Sequence, residues 1–366
     1  MPFRIFNSVR KYLSNETEYT CLPGDKTMAS PDYSNKATSK MREGLNAIRQ
    51  INDSVKLLSL NARIEAARAG ASGKTFAVVA EEMKTLSDRV QVIAEKLDSE
   101  ITITEQEISA TETQARGNRL SDLAFNAIEV LDRNLYERTA DVRWWATEAA
   151  FVDACRSSGD EHRRRVAVSR MGVILKNYTI YKELILADVN GRIIANGKPD
   201  RYSLCDTDVS GRSWFQGAMA TSTGNEYFVQ DVEKCPLTGD LAVIYSAAVR
   251  EGGETYGKVI GVLAVVFDWA QADYIVKNVR LSEEEKKNSR ILLFNRDGYV
   301  IASSDGKGIL AENVAGLEGV RRALKGEKGF TIETADRKKI MVAFARTPGY
   351  ETYRGLGWGC AILSPT

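Results

Sequence analysis

Two runs of apolar residues at alternating three- and four-residue spacing, parted by a glycine-bearing tetrapeptide, constrain this chain more than any other feature. Ile48, Ile51, Val55, Leu58, Ala62 and Ala69 lead into Gly70-Ala71-Ser72-Gly73. Phe76, Val79, Met83, Leu86, Val90, Ile93 and Leu97 lead away from it. That spacing is the seam of a coiled coil. Glycine reaches positive φ without steric cost, so the tetrapeptide is where a helix stops and reverses. The pattern predicts an antiparallel helical hairpin over residues 34–118. A lone hairpin has little interior. Its seams therefore imply a partner hairpin, most simply a four-helix bundle in a homodimer.

The identities of the residues say more than their spacing. Leu58, Leu60, Asn61, Ala62, Ile64, Glu65, Ala66, Ala67, Arg68, Ala69 and Gly70 are followed by Gly73, Phe76, Ala77, Val78, Val79, Ala80 and Glu82. This stretch resembles the tip of the signalling domain of methyl-accepting chemotaxis proteins. The resemblance implies that the tip binds a chemotaxis histidine kinase and its coupling adaptor through Leu57, Phe76, Val78 and Val79. It also implies contacts between dimers, in higher receptor clusters, through Asn61, Glu65 and Arg68. Exposed apolar residues flanked by charge suit a docking surface. The chain departs from the family pattern at Ala71, Ser72, Thr75, Arg63 and Asp53-Ser54-Val55, all near contact faces. The run Glu105, Glu107 and Glu112 reads as a solvated helix face rather than as methylation sites.

Length and composition bound the rest. A chain of 366 residues has room for two or three domains. A net charge of +1 with dispersed lysines and arginines argues against a nucleic-acid footprint. The longest apolar run, Val259 to Phe267, is far below the ~20 residues that cross a bilayer. The start of the sequence lacks a signal-peptide core. The expectation is a cytoplasmic protein without a transmembrane segment, answering an intracellular stimulus. Cys21, Cys155, Cys205, Cys235 and Cys360 form no C-x-x-C pair and are expected to be reduced, with a redox role for Cys205 and Cys235 as the alternative. A single histidine, His162, argues against a histidine-rich metal site. No nucleophile elbow, P-loop or dinucleotide fingerprint is present. No enzymatic activity and no cofactor are expected.

Between Arg119 and Arg156 there is no proline and no internal glycine, which predicts one long helix continuous with the return arm. A second helix is expected over about Glu161 to Tyr178. Strand patterns follow. Asn190-Gly191 and Asp297-Gly298 each sit between apolar runs, the signal of a two-residue hairpin. Laid on each other, Leu186 matches Leu293, Gly191 matches Gly298, Ile194 matches Ile301 and Ala195 matches Ala302. A short helix and further strands follow each hairpin, so the second half reads as two copies of one module. The fold class is α+β, each module an antiparallel sheet with helices packed on it.

A long helix followed by two PAS-like modules resembles the double Cache sensor domain, with Gly211-Arg212-Ser213-Trp214-Phe215-Gln216-Gly217-Ala218 as its most specific phrase. In amino-acid-binding members the first module holds its ligand with a tyrosine, an R-x-W-Y segment and a distal aspartate. The resemblance carries over to Arg212, Trp214 and, at the end of a strand, Asp268. Phe215 replaces the motif tyrosine and Thr207 the upstream one, which disfavours an α-amino acid. Arg212 suits a small anionic ligand, because a guanidinium forks onto a carboxylate. Tyr227 and Tyr245 either line the same cleft or are ordinary strand residues. Arg212 and Trp214 serve either the ligand or a helix cap and core. Arg143-Trp144-Trp145 is expected in the core or a dimer contact.

The sequence thus divides into an N-terminal extension (1–33), a signalling hairpin (34–118), a helical lead-in (119–180), a ligand-binding first module (181–280) and a second module (281–366). The reading is a chemoreceptor-like transducer, the alternative a ligand-sensing scaffold or adaptor without kinase control.

Overall fold

The structure, a computed structural model, describes residues 31–335 and 337–366, with side chains from residue 36. Most of the expected N-terminal extension, with Cys21, lies outside the described residues. The chain divides into two compact units between Glu112 and Thr113.

In the first unit, helix α1 (Pro31–Arg68) leads to a 3₁₀ turn at Gly70–Gly73 and then into helix α2 (Lys74–Trp145), which continues into the second unit. Gly70 takes φ of +58°, which a side chain would strain. A Cβ on Gly73 would lie 2.1 Å from the carbonyl oxygen of Ala66, so only glycine lets the turn close on α1. Ser59 Oγ donates to the carbonyl of Ala80 at 2.9 Å. Farther from the turn, Arg42 pairs with Glu105 at 2.6 Å and Arg49 with Asp98 at 3.1 Å.

The residues buried between these arms are Thr38, Leu45, Asn52, Ser59, Ala66, Gly73, Ala80, Ser87 and Ala94, a single heptad position mostly filled by small or polar side chains. The predicted apolar seam is therefore not the intrachain seam. Ile48, Ile51, Leu58, Phe76, Val79, Leu86, Ile93 and Leu97 are all exposed, and Val55, Met83 and Val90 are half-buried. Small residues let two helices approach closely, and the larger apolar ones are left on the outside.

In the second unit α2 does not run through to Arg156 as expected. It ends at Trp145, and helix α3 (Ala149–Arg156) begins after a short break at which Glu148 is extended, with ψ of 126°. No proline or glycine causes this. Trp145 is buried edge-on against Tyr178 and Tyr181, with ring centroids 5.1 and 5.5 Å away, and packing outweighs helix propensity here. Helix α4 (Glu161–Asn177) starts at Asp160, whose carboxylate accepts the backbone N–H groups of His162 and Arg163.

Two five-stranded antiparallel sheets follow. The first comprises β1 (Tyr181–Asp188), β2 (Ile193–Asn196), β3 (Phe228–Lys234), β4 (Leu241–Arg250) and β5 (Val259–Asp268), in the order β2-β1-β5-β4-β3. Helix α5 (Ser213–Met219) lies between β2 and β3 in sequence, and α6 (Ala270–Lys277) and α7 (Glu283–Asn288) lead to the second sheet. That sheet comprises β6 (Arg290–Phe294), β7 (Val300–Ser303), β8 (Gly329–Ala335), β9 (Lys338–Arg346) and β10 (Gly359–Pro365), ordered β7-β6-β10-β9-β8, with α8 (Glu318–Leu324) before β8.

The repeat extends to fine detail. The pairing slips after Leu186 in one module and after Leu293 in the other, the two residues matched in sequence. The turns are longer than the two residues expected. Asp188 Oδ1 accepts from the N–H groups of Asn190 and Arg192, and Asn295 Oδ1 accepts from those of Asp297 and Tyr299. The side chain takes over turn hydrogen bonds that a tighter hairpin would make through its backbone.

Apart from the half-exposed edge strand β8, each sheet is buried on both faces. One face of both sheets joins a continuous core with Leu120, Ile128, Leu131, Leu135 and Val142 of α2. On the other face, α5 covers the first sheet and α8 the second. Among the described residues no helix is long and apolar enough to cross a membrane.

Candidate functional site

The tip and the first module carry the predicted functional residues, and each is described by itself. Around the 3₁₀ turn, Leu57, Phe76, Val78 and Val79 are 63%, 73%, 60% and 52% exposed. Asn61 is also exposed, and Glu65 and Arg68 form an exposed ion pair at 2.8 Å. Such a pair contributes little to stability, so both charges remain available to a partner. This much bare apolar area is costly unless something covers it.

In the first module the predicted ligand residues do not share one cleft. Arg212 is the N-cap of α5, exposed, in extended conformation. Trp214 is 1% exposed and stacks edge-on with Phe215 at 6.1 Å. Its carbonyl accepts a hydrogen bond from Ser246 Oγ at 2.7 Å. Both aromatics pack with Ile185, Ile244, Val262, Ala264 and Val266 on the α5 face of the sheet.

Tyr245 sits on the opposite face, fully buried in the core built on α2. Tyr227 packs there too, its ring 6.4 Å from that of Tyr245 and 5.4 Å from the guanidinium carbon of Arg143. The period of two along a strand decides this: Ile244 and Tyr245 are neighbours in sequence and must face opposite ways. Burial pushes the Tyr245 phenol far above its ordinary range. The two tyrosines are therefore core residues, and the expectation that they line a cleft with Trp214 is corrected.

Asp268 follows Phe267 and so returns to the α5 side, at the end of the central strand β5. It pairs with Lys182 at 3.1 Å, and Lys182 also reaches Asp240 at 3.2 Å. The site has a member that sequence reasoning missed. Ser213 Oγ donates to Gln230 Oε1 at 2.7 Å, while Gln230 Nε2 is buried without a partner among the described residues. The hydroxyls of Tyr202 and Thr238 are likewise buried and unpaired. Gln230 left a signal, being a glutamine at an inward-facing position of the strand Phe228–Lys234. The α5 face thus combines an apolar floor, an exposed arginine and orphaned polar atoms, a set that suits a small polar ligand. No group of three or more His, Cys, Asp or Glu able to hold a metal ion occurs among the described residues. Cys205 is exposed and Cys235 buried, both as free thiols.

Residues 49–366 match the Cache domain family. The chain belongs to the Cache domain family. In fold this Cache protein is similar to the sensory domain of the Campylobacter jejuni chemoreceptor Tlp3, at 14% identity and a TM-score of 0.52, over 70% of this chain and 96% of that one. It is also similar to the sensor domain of the V. cholerae histidine kinase DctB, at 15% identity and a TM-score of 0.51, over 72% of this chain and 99% of that one. In sequence it is similar to the methyl-accepting chemotaxis protein McpC of Bacillus subtilis, 34% identical over 107 residues, which are 29% of this chain and 16% of McpC. The chain thus spans only about a sixth of that curated relative.

Proposed function

We infer that this Cache chain is a chemoreceptor-like signal transducer in which a small anionic ligand acts on the first of two Cache modules and the tip relays the change to a chemotaxis histidine kinase and its adaptor. The observation that carries the reading is the bare apolar tip. Leu57, Phe76, Val78 and Val79 are exposed at the one place where the residues also resemble a kinase-docking hairpin. The ligand would lie on the α5 face, with Arg212 taking its anionic group and Gln230 and Tyr202 its polar atoms. Trp214 supplies apolar area from below. The exposed positions Ile48, Ile51, Leu58, Val79, Leu86 and Ile93 would be covered by the same residues of a second chain, giving a four-helix bundle. Helix α2 begins beside the turn and ends in the core beneath the first sheet, so it is the element whose packing both sites can bias. The tip would act in the cytoplasm, where its kinase is.

Ala71 and Ser72 replace the usual turn residues of the family and favour a second reading, a ligand-sensing scaffold without kinase control. Co-precipitation and a phosphorylation assay with purified kinase and adaptor separate the two. Capture of both, lost in Phe76→Asp, supports the first. A folded dimer that captures neither leaves the scaffold.

A further inference from the structure

We propose that the second module holds a separate site for a small organic carboxylate, formed where the ends of β8 and β9 face helix α2. A cavity of about 410 Å³ opens there, within the range of small-molecule pockets. Its wall includes Phe125 from α2, Lys328 at the start of β8, and Arg346, Pro348 and Arg354 from the end of β9 and the loop beyond it. Of the charges around it, those already satisfied can be separated from those that are not. Lys328 pairs with Asp122 at 2.7 Å and lies over the Phe125 ring at 4.5 Å. Glu327, the acid on the wall, is held by Arg322 at 2.7 Å. Behind the wall, Asp132 accepts from Thr347 Oγ1 and from the N–H of Gly349.

Arg346 and Arg354 have no acidic partner among the described residues, although Arg346 is half-buried. Two arginines without acidic partners among the described residues line one concave opening, a composition that suits an anion, because a guanidinium presents a planar fork that matches a carboxylate. The Phe125 ring and Pro348 give the opening an apolar side, which a bare inorganic anion would not use. Lys328 can join the ligand, because its pair with Asp122 is exposed and weak. An occupant would touch α2 at Phe125, the helix to which Asp122 also belongs, and so would tie the second module to that helix. This site lies in the other module from Arg212 and shares no residue with the α5 face.

The test is calorimetric titration of the full chain with succinate, citrate and benzoate, and with inorganic phosphate as the bare anion. At least one carboxylate should bind, more tightly than phosphate. Arg346→Ala and Arg354→Ala should each weaken it about tenfold or more, the worth of one charged hydrogen bond. Arg346→Lys should recover part of the loss. Neither arginine holds the fold through an ion pair, so unaltered melting of the variants is expected and is checked alongside. Three results overturn the proposal: no binding by any of the three carboxylates, phosphate binding as tightly as they do, or affinity indifferent to Arg346 and Arg354. Loss of binding in Arg212→Ala alone would also overturn it, while supporting a ligand on the α5 face of the first module.

Discussion

Arg138 is the residue whose removal should damage the second unit most for the number of atoms lost. It lies on α2 with its side chain 2% exposed. Its guanidinium sits 3.3 Å from Asp141 and 2.8 Å from Glu137, and 5.3 Å above the ring of Tyr181. The Tyr181 hydroxyl donates to Asp141 at 2.6 Å, so the cluster ties α2 to the first strand of the first sheet. Burial pushes the Asp141 carboxyl above the usual aspartate range, against the pull of Arg138 and Tyr181. Arg138→Ala leaves that carboxylate buried without its cation, a loss of about 3–5 kcal/mol. For a unit of this size that is a fall in melting temperature of roughly 6–20 °C.

The sign of the pH dependence follows from the same carboxyl. A folded-state pKa above the unfolded value makes a contribution that is present below about pH 4 and is lost as pH rises through the folded value. Without Arg138 that pKa rises further, so the deficit of Arg138→Ala should be small near pH 4 and large at pH 7. Asp141→Asn keeps an acceptor for Tyr181 and leaves Arg138 with Glu137, so its cost should be less, about 1.5–3 kcal/mol. Thermal melts of wild type, both single variants and Arg138→Met/Asp141→Leu at several pH values provide the measurement. The apolar double variant should recover much of the loss, because the pair is replaced rather than broken. A melt of Arg138→Ala within 2 °C of wild type at pH 7 (about the shift of 1 kcal/mol or less), or a deficit that does not change with pH, would refute the reasoning.

Other outcomes are expected. Met83→Glu places a charge at a half-buried position between the exposed Val79 and Leu86 and should turn a dimer into a monomer in sedimentation velocity, at a cost of several kcal/mol to association. A wild-type chain that stays monomeric across the whole concentration range of the sedimentation experiment would remove the bundle itself. Trp269, packed edge-on to Trp358 at 5.1 Å, donates its indole N–H to the carbonyl of Ile301 at 2.6 Å. Trp269→Phe should therefore destabilise by about 1–3 kcal/mol in urea unfolding, through the orphaned carbonyl. Asp132 is also pushed up by burial, so Asp132→Asn should flatten the fall in melting temperature above about pH 4. In native protein, iodoacetamide should modify Cys205 and spare Cys235, as read by mass spectrometry of the peptides.

The sequence alone determined the reversal at Gly70–Gly73, because only glycine tolerates the backbone there, and the two-module repeat, because Gly191 and Gly298 mark matched turns. Tertiary structure decided what periodicity leaves open. A heptad pattern shows that two stripes of a helix are apolar or small but not which stripe meets its own chain. The structure gives that place to Ser59, Ala66 and Ala80 and leaves Leu58 and Val79 outside. The break after Trp145 had no local signal, since it is set by Tyr178 and Tyr181, distant in sequence. The ligand residues divided for a similar reason. A tyrosine in a strand buried on both faces reads the same whichever way it points, and only the pairing of β4 in its sheet sends Tyr245 to the core and Ile244 to the α5 face. The wall of Arg346 and Arg354 was illegible because proximity across a loop and a helix leaves no spacing in the chain.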